Sequence, residues 1–210
     1  QNNPQNTYNF FFFNILEEID MPGESFLDRD NKVIYFYPAT DIEGADIEVS
    51  SFDKTMISVS GASNLRFEGL EFKYTRGMLA SVINADNVKF ENCVMAHSSD
   101  MAGNFAGTNI KIDSCHIYDT GYGGITIAGG DRENCISSGN EIVNSVFHDN
   151  AIYRRSYATS IQVQNAFGVI IKNNLLYNNP HQILGLGTSG QVSDVLIEGN
   201  EIHDAVTEHG

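Results

Sequence analysis

Hydrophobic and polar residues alternate in short runs along most of the chain, and the runs recur. Six segments align: NLRFEGLEF (64–72), NVKFENCVM (87–95), NIKIDSCHI (109–117), GNEIVNSVF (139–147), GVIIKNNLL (168–176) and DVLIEGNEI (194–202). Their starts lie 23, 22, 30, 29 and 26 residues apart. The fourth column (Phe67, Phe90, Ile112, Ile142, Ile171, Ile197) and the ninth (Phe72, Met95, Ile117, Phe147, Leu176, Ile202) are apolar throughout. With the second column (Leu65, Val88, Ile110, Asn140, Val169, Val195) they point inward. The third and fifth columns carry most of the charge and point outward.

The first column (Asn64, Asn87, Asn109, Gly139, Gly168, Asp194) holds residues that tolerate positive φ. The sixth (Gly69, Asn92, Ser114, Asn144, Asn173, Gly199) reads as a tight bend. The seventh (Leu70, Cys93, Cys115, Ser145, Asn174, Asn200) is mostly small or polar and reads as inward, where stacked Asn amides can bond to one another. Such a period, with two-residue alternation and no helical pattern, predicts a coiled stack of strands. A third strand per coil lies between the repeats, at SVINA (81–85), GITIA (124–128), SIQVQ (160–164) and QILGL (182–186). The predicted fold class is all-β, a right-handed parallel β-helix of about six or seven coils. Handedness is taken from the coil length. A leucine-rich repeat would need outer helices and a Leu-rich pattern, and neither is present.

Residues 1–60 break the pattern and are read as an N-terminal cap with the first strands; residues 61–210 are the β-helix. In the cap, Asn14 with Glu17 three residues on resembles a capping box for a short helix. ESFLDRDNKVIYFYP (24–38) reads as a hairpin turning at Asp30–Asn31. At the far end no cap is visible. The reading takes the chain as cut short there, leaving an open coil for end-to-end or side-by-side self-association.

Charge narrows the partners. The chain of 210 residues carries a net charge of −15, which repels nucleic acid and anionic membranes. Neutral substrates fit better. No cofactor is required, although the acid excess suits Ca²⁺. Three cysteines at 93, 115 and 135 match no disulfide framework and no zinc spacing, and no metal ligand is assigned. Cys93 and Cys115 stack in adjacent coils and read as reduced filler, with a disulfide as the alternative.

Candidate chemistry follows from coils stacking about 4.8 Å apart. Two places after the ninth column stand Tyr74, His97, Asp119, Asp149, Asn178 and Asp204. Asp119 and Asp149 would lie about 5 Å apart, near the spacing of a retaining glycosidase pair; the structural alternative is a column of Asx turns. The long excursions offer more. GGDREN (129–134), AIYRRSYATS (151–160), NPHQ (179–182) and EHG (208–210) leave the stack on one side. In register, Tyr157, His181 and Glu208 precede the third strand of successive coils, and Asp131 follows it one coil earlier. These would line a groove floored by outward Thr126 and Gln162. Arg154 and Arg155 are read either as groove cations or as surface charge. Asp131 and Arg132 are either a solvated turn or the lip of that groove.

ILEEIDMPGESFLDRDNKVIYFYP, GGITIAGGDREN, YRRSYATSIQV, NNPHQILGLG and NEIHDAVTEHG also resemble secreted bacterial β-helix proteins of the pectate-lyase-like superfamily. Within it they are most similar to glycoside hydrolases of the α-L-fucosidase/xylanase type. The resemblance implies hydrolysis of plant or algal polysaccharide outside the cytoplasm, in a secreted, periplasmic or cell-surface protein. It implies recurring groove positions at Asp131, Arg132, Arg155, Tyr157, His181 and Glu208. Asp131, Glu208 and His181 are the expected catalytic residues, with two carboxyl groups doing the acid/base work. Arg132, Arg155, Tyr157, Gln162 and Asp204 are the expected substrate contacts. The competing expectations are a polysaccharide lyase of the same fold and a non-catalytic carbohydrate-binding or adhesion module. Two departures stand out: the chain ends after TEHG, where relatives continue, and the YRRSYATS loop lacks an expected proline.

Overall fold

The computed structural model describes residues 12–188 and 190–205. Contacts divide the chain into two units, the first ending at Glu48 and the second starting at Val49. In the first unit, Leu16–Glu18 form one 3₁₀ turn, and Ser25–Asp28 pairs antiparallel with Val33–Phe36. The expected capping role of Asn14 is corrected. Ile15 holds the cap position, and no side chain bonds there. Asn14 instead sits at φ 57°, and its amide copies a strand rung: Oδ1 accepts from Leu27 N at 2.7 Å and Nδ2 donates to Leu27 O at 3.3 Å. A long-range pair of amide bonds outcompetes a cap on a helix of one turn.

The second unit is a parallel β-solenoid of about six turns. Its first face stacks Ser63–Glu68, Lys111–Asp113, Asn140–Val143 and Val192–Glu198 with the later halves of the long strands Ala80–Glu91 and Thr159–Lys172. Its second face is a six-stranded sheet from Glu71–Thr75 to Glu201–Ile202. Its third face stacks Ile57–Ser60, Gly103–Thr108, Ile125–Gly129 and Gln182–Leu186 with the earlier halves of the two long strands. Gly103–Thr108 was not legible as a strand, because GNFAGT carries one large apolar residue and no alternation.

The register reproduces the sequence columns. Phe67 aligns with Phe90, Phe90 with Ile112, Ile112 with Ile142, Ile142 with Ile171 and Ile171 with Ile197. Phe90, Ile112, Ile142 and Ile171 are wholly buried; each contributes about 1.5–3 kcal/mol relative to exposure. All six residues of the first column, and all six of the sixth, have positive φ. The bends are therefore written into the side chains that tolerate them. Polar members of inward columns are satisfied. Asn140 Oδ1 accepts from Ile110 N at 2.9 Å, and its Nδ2 donates to Gly107 O and Ala128 O at 3.1 Å each. Asn174 Nδ2 donates to Asn200 Oδ1 at 2.9 Å, one rung of the expected amide stack. Cys93 and Cys115 are free thiols that donate to backbone carbonyls. Burial pushes the Cys115 thiol up to about 12.

Candidate functional site

Ile125–Gly129 shows how the groove arises. Ile125 and Ile127 are wholly buried, so Thr126 between them must face out. Its neighbour across the ladder is Gln162, which in turn faces Gly185. Gly185 has no side chain, so a floor opens beside the amide. Gln162 is pinned there. Its Nε2 donates to Val163 O at 3.1 Å and Gly185 O at 3.2 Å, while its Oε1 accepts from Thr188 Oγ1 at 2.8 Å.

The cavity over this floor measures about 620 Å³. Thr126, Gln162, Gln164 and Gln182 line it from the strands. Tyr122, Arg154 and Tyr157 line it from the connections. Tyr157 is 82% exposed and sits at φ 56°. Its ring lies 5.5 Å from that of His181, which is half-buried with Nδ1 shielded from solvent. No Asp or Glu lines the cavity, and Arg154 is its one charged residue among those described. In a chain of net charge −15, that is a local exception.

The expected site residues divide accordingly. Tyr157 and Gln162 meet in this groove, and His181 backs Tyr157. Arg155 is exposed and does not line the cavity. Arg132 lines a different hollow, of about 420 Å³, with Asp131, Asn165 and Gln191. Glu208 lies outside the described residues. Asp204 is not brought to the groove. It follows Glu201–Ile202 on the second face and accepts from His203 Nδ1 at 2.8 Å. Sequence reasoning missed Tyr122, Gln164, Gln182 and Thr188. Gln164 was findable, since it stands two residues beyond Gln162 on the same outward row.

The GGDREN stretch is shaped by the backbone first. Gly129 has φ 145°, and a Cβ there would come within 1.9 Å of Gly107 O. Gly130 has φ 83°, and a Cβ there would come within 2.5 Å of Phe167 O. Beyond them, Asp131 and Ile136 exchange two backbone hydrogen bonds of 2.8 Å. The Asp131 carboxylate accepts from Asn134 N at 3.0 Å and Asn134 Nδ2 at 2.6 Å. These bonds hold the Asp131 carboxyl below the usual carboxylate range. A general acid needs the opposite shift.

The chain contains its own control. DRDN (28–31) in the first unit repeats the DREN (131–134) pattern. Asp28 accepts from Asn31 N at 2.9 Å and Asn31 Nδ2 at 2.8 Å, and pairs with Val33 five residues on. Lys32 and Cys135 close the two turns at φ 57° and 55°. The same four-residue hairpin is built twice, so the Asp-Arg pair belongs to a turn.

The Asp119/Asp149 column also resolves. All six of its residues have positive φ. Asp119 Oδ2 lies 3.3 Å from His97 Nδ1, and Asp149 Oδ2 lies 2.5 Å from His148 Nδ1. Asp149 Oδ1 accepts from Asn178 Nδ2. These carboxylates brace histidines and bends. Burial, then the nearby His148, hold the His116 imidazole below the usual histidine range.

The right-handed β-helix region family matches residues 32–202. The chain belongs to that family. Comparison with curated proteins and with solved structures gives no match. Membership is consistent with carbohydrate-active or related proteins, and it fixes the hand of the coil that topology alone left open.

Proposed function

We propose that this β-helix protein is carbohydrate-active and that the groove over Thr126 and Gln162 holds a glycan. The observation that supports this most directly is the lining itself. Gln164 and Gln182 offer paired donors and acceptors to sugar hydroxyls, and Gln162, whose two amide N–H groups are taken, keeps one acceptor lone pair. Tyr122 and Tyr157, both exposed, offer an apolar ring with a polar tip.

Hydrolysis is the finer reading. It needs two carboxyl groups: Glu208 would be the acid and Asp131, its carboxyl held low in the hairpin, could serve only as the base, with His181 tuning or binding. Arg154 favours the other enzymatic reading, a lyase that neutralises a uronate. Such polymers are met outside the cytoplasm, so either reading carries a secreted, periplasmic or cell-surface location with it. Calorimetry against neutral oligosaccharides tests binding; a reducing-sugar assay and near-ultraviolet detection of unsaturated product separate hydrolase from lyase. Binding weakened about tenfold by Gln162→Ala, or about 1.4 kcal/mol, is the expected result. No binding to any neutral or uronate oligosaccharide by the intact chain would overturn the reading.

A further inference from the structure

We propose that His116 and His148, on the second face and away from the groove lining, form a binding site for a first-row divalent cation of the Zn²⁺/Cu²⁺ class.

Four of the histidines, His97, His116, His148 and His203, lie on this face together with Tyr118 and Tyr177. His148 is stacked between Tyr118 (5.1 Å, 5°) and Tyr177 (4.8 Å, 11°). Both its ring faces are covered, so only the edge atoms are available to a ligand. Its Nδ1 is taken by Asp149 at 2.5 Å. An ionised carboxylate can only accept, so His148 carries its proton on Nδ1 and presents an Nε2 lone pair. That Nε2 meets the Nε2 of His116 at 2.7 Å.

Two ring nitrogens that converge in this way need a positive centre between them. In the free protein that centre is the His116 Nε2 proton. A cation of the imidazole-preferring class can take its place. The His116 proton then moves to its own Nδ1, by way of solvent, and the proton count is unchanged. With metal–nitrogen bonds of about 2.0–2.1 Å, the two nitrogens must open to about 3.3 Å. His116 can swing, since its ring is tilted by 38° and 43° to its neighbours rather than stacked. His148 cannot, and Asp149 behind it provides the outer carboxylate found on metal-bound imidazoles.

No group of three or more His, Cys, Asp or Glu that could hold a metal occurs among the described residues. The site therefore supplies two protein ligands, with water completing the shell, and micromolar affinity is expected. Imidazole donors exclude Ca²⁺ and Mg²⁺, which require oxygen ligands.

The test is calorimetric titration of the chelator-stripped chain with Zn²⁺, followed by Cu²⁺ with the visible d–d band as a second readout. One ion per chain at micromolar concentration is expected. His116→Gln and His148→Gln should each weaken binding at least tenfold, and Asp149→Asn about tenfold. His203→Gln should change nothing, because His203 has an equivalent aspartate partner, Asp204, but faces Glu201 at 3.9 Å rather than a second imidazole. Metal-free thermal unfolding checks each fold; if His148→Gln does not fold, His116→Gln decides. Zn²⁺ binding unchanged in His116→Gln overturns the proposal, as does failure of the intact chain to bind either ion at micromolar concentration.

Discussion

The second and third faces of the solenoid are built by the same coils and look nothing alike outside. On the second face, Tyr118, His148, Tyr177 and His203 stack ring on ring from coil to coil. Each ring covers the next, and the face closes on itself. On the third face, the corresponding outward column runs Asn104, Thr126, Gln162, Gly185. Four different sizes cannot stack, and a cavity remains. Repetition consolidates a face, and a break in repetition opens one. A cavity large enough for a glycan belongs where outward residues stop repeating, while inward residues must repeat everywhere for the coil to close.

The largest expected effect tests the inward half of that statement. Ile127→Ala removes a wholly buried side chain and should cost about 2–5 kcal/mol in chemical denaturation. Gln164→Ala, outward on the same face and in the next coil, should stay within about 0.5 kcal/mol. Equal costs would mean that the third face depends on its outward row as much as on its core.

A smaller effect should separate the two outward faces. Tyr118→Leu breaks a stacked pair and should cost about 0.5–1.5 kcal/mol beyond lost area, with glycan binding unchanged. Tyr157→Ala removes a ring that is 82% exposed, so thermal unfolding should hold while glycan affinity falls. If Tyr157→Ala lowers stability as much as Tyr118→Leu, the groove wall is a structural edge rather than a ligand contact.

The inward columns were legible because burial forces one solution at every coil. Phe90, Ile112, Ile142 and Ile171 could be read straight down a column, and so could the bends at Asn92, Ser114 and Asn144. The groove was half legible. Thr126 and Gln162 follow from alternation, and Tyr157 from register. Tyr122 and Thr188 were not readable, because connection shape places them and no periodicity governs connections. The histidine pair was missed for another reason. His116 and His148 are 32 residues apart and occupy different outward columns, so searching down one column could not join them. Asp131 stayed open between turn and groove lip in the sequence, because the likeness of DRDN at 28–31 to DREN at 131–134 becomes informative only when the bonds of the two turns are compared.

That twin provides the smallest and sharpest prediction. Asp28 and Asp131 are both held below the usual carboxylate range, first by the side-chain amide of the asparagine three residues on. In the unfolded chain each carboxyl returns to its ordinary value near 3.8. A depressed folded value means that the unfolded state binds more protons across the interval between the two. Each carboxylate therefore stabilises above pH about 3.8, and the contribution is lost as pH falls through the lower folded value. Asp131→Asn should lower the thermal midpoint slightly at pH 6, and the gap from the unmutated chain should close as pH falls below about 3.8. The pH-dependent closing of that gap marks a carboxylate acting in its ionised form to hold a hairpin. A carboxyl that binds or transfers protons to a sugar would instead move the pH profile of activity, with the midpoint gap flat across the same range. Nuclear magnetic resonance titration of the two side chains should give matching depressed values, because both turns make the same pair of bonds to the same residue type.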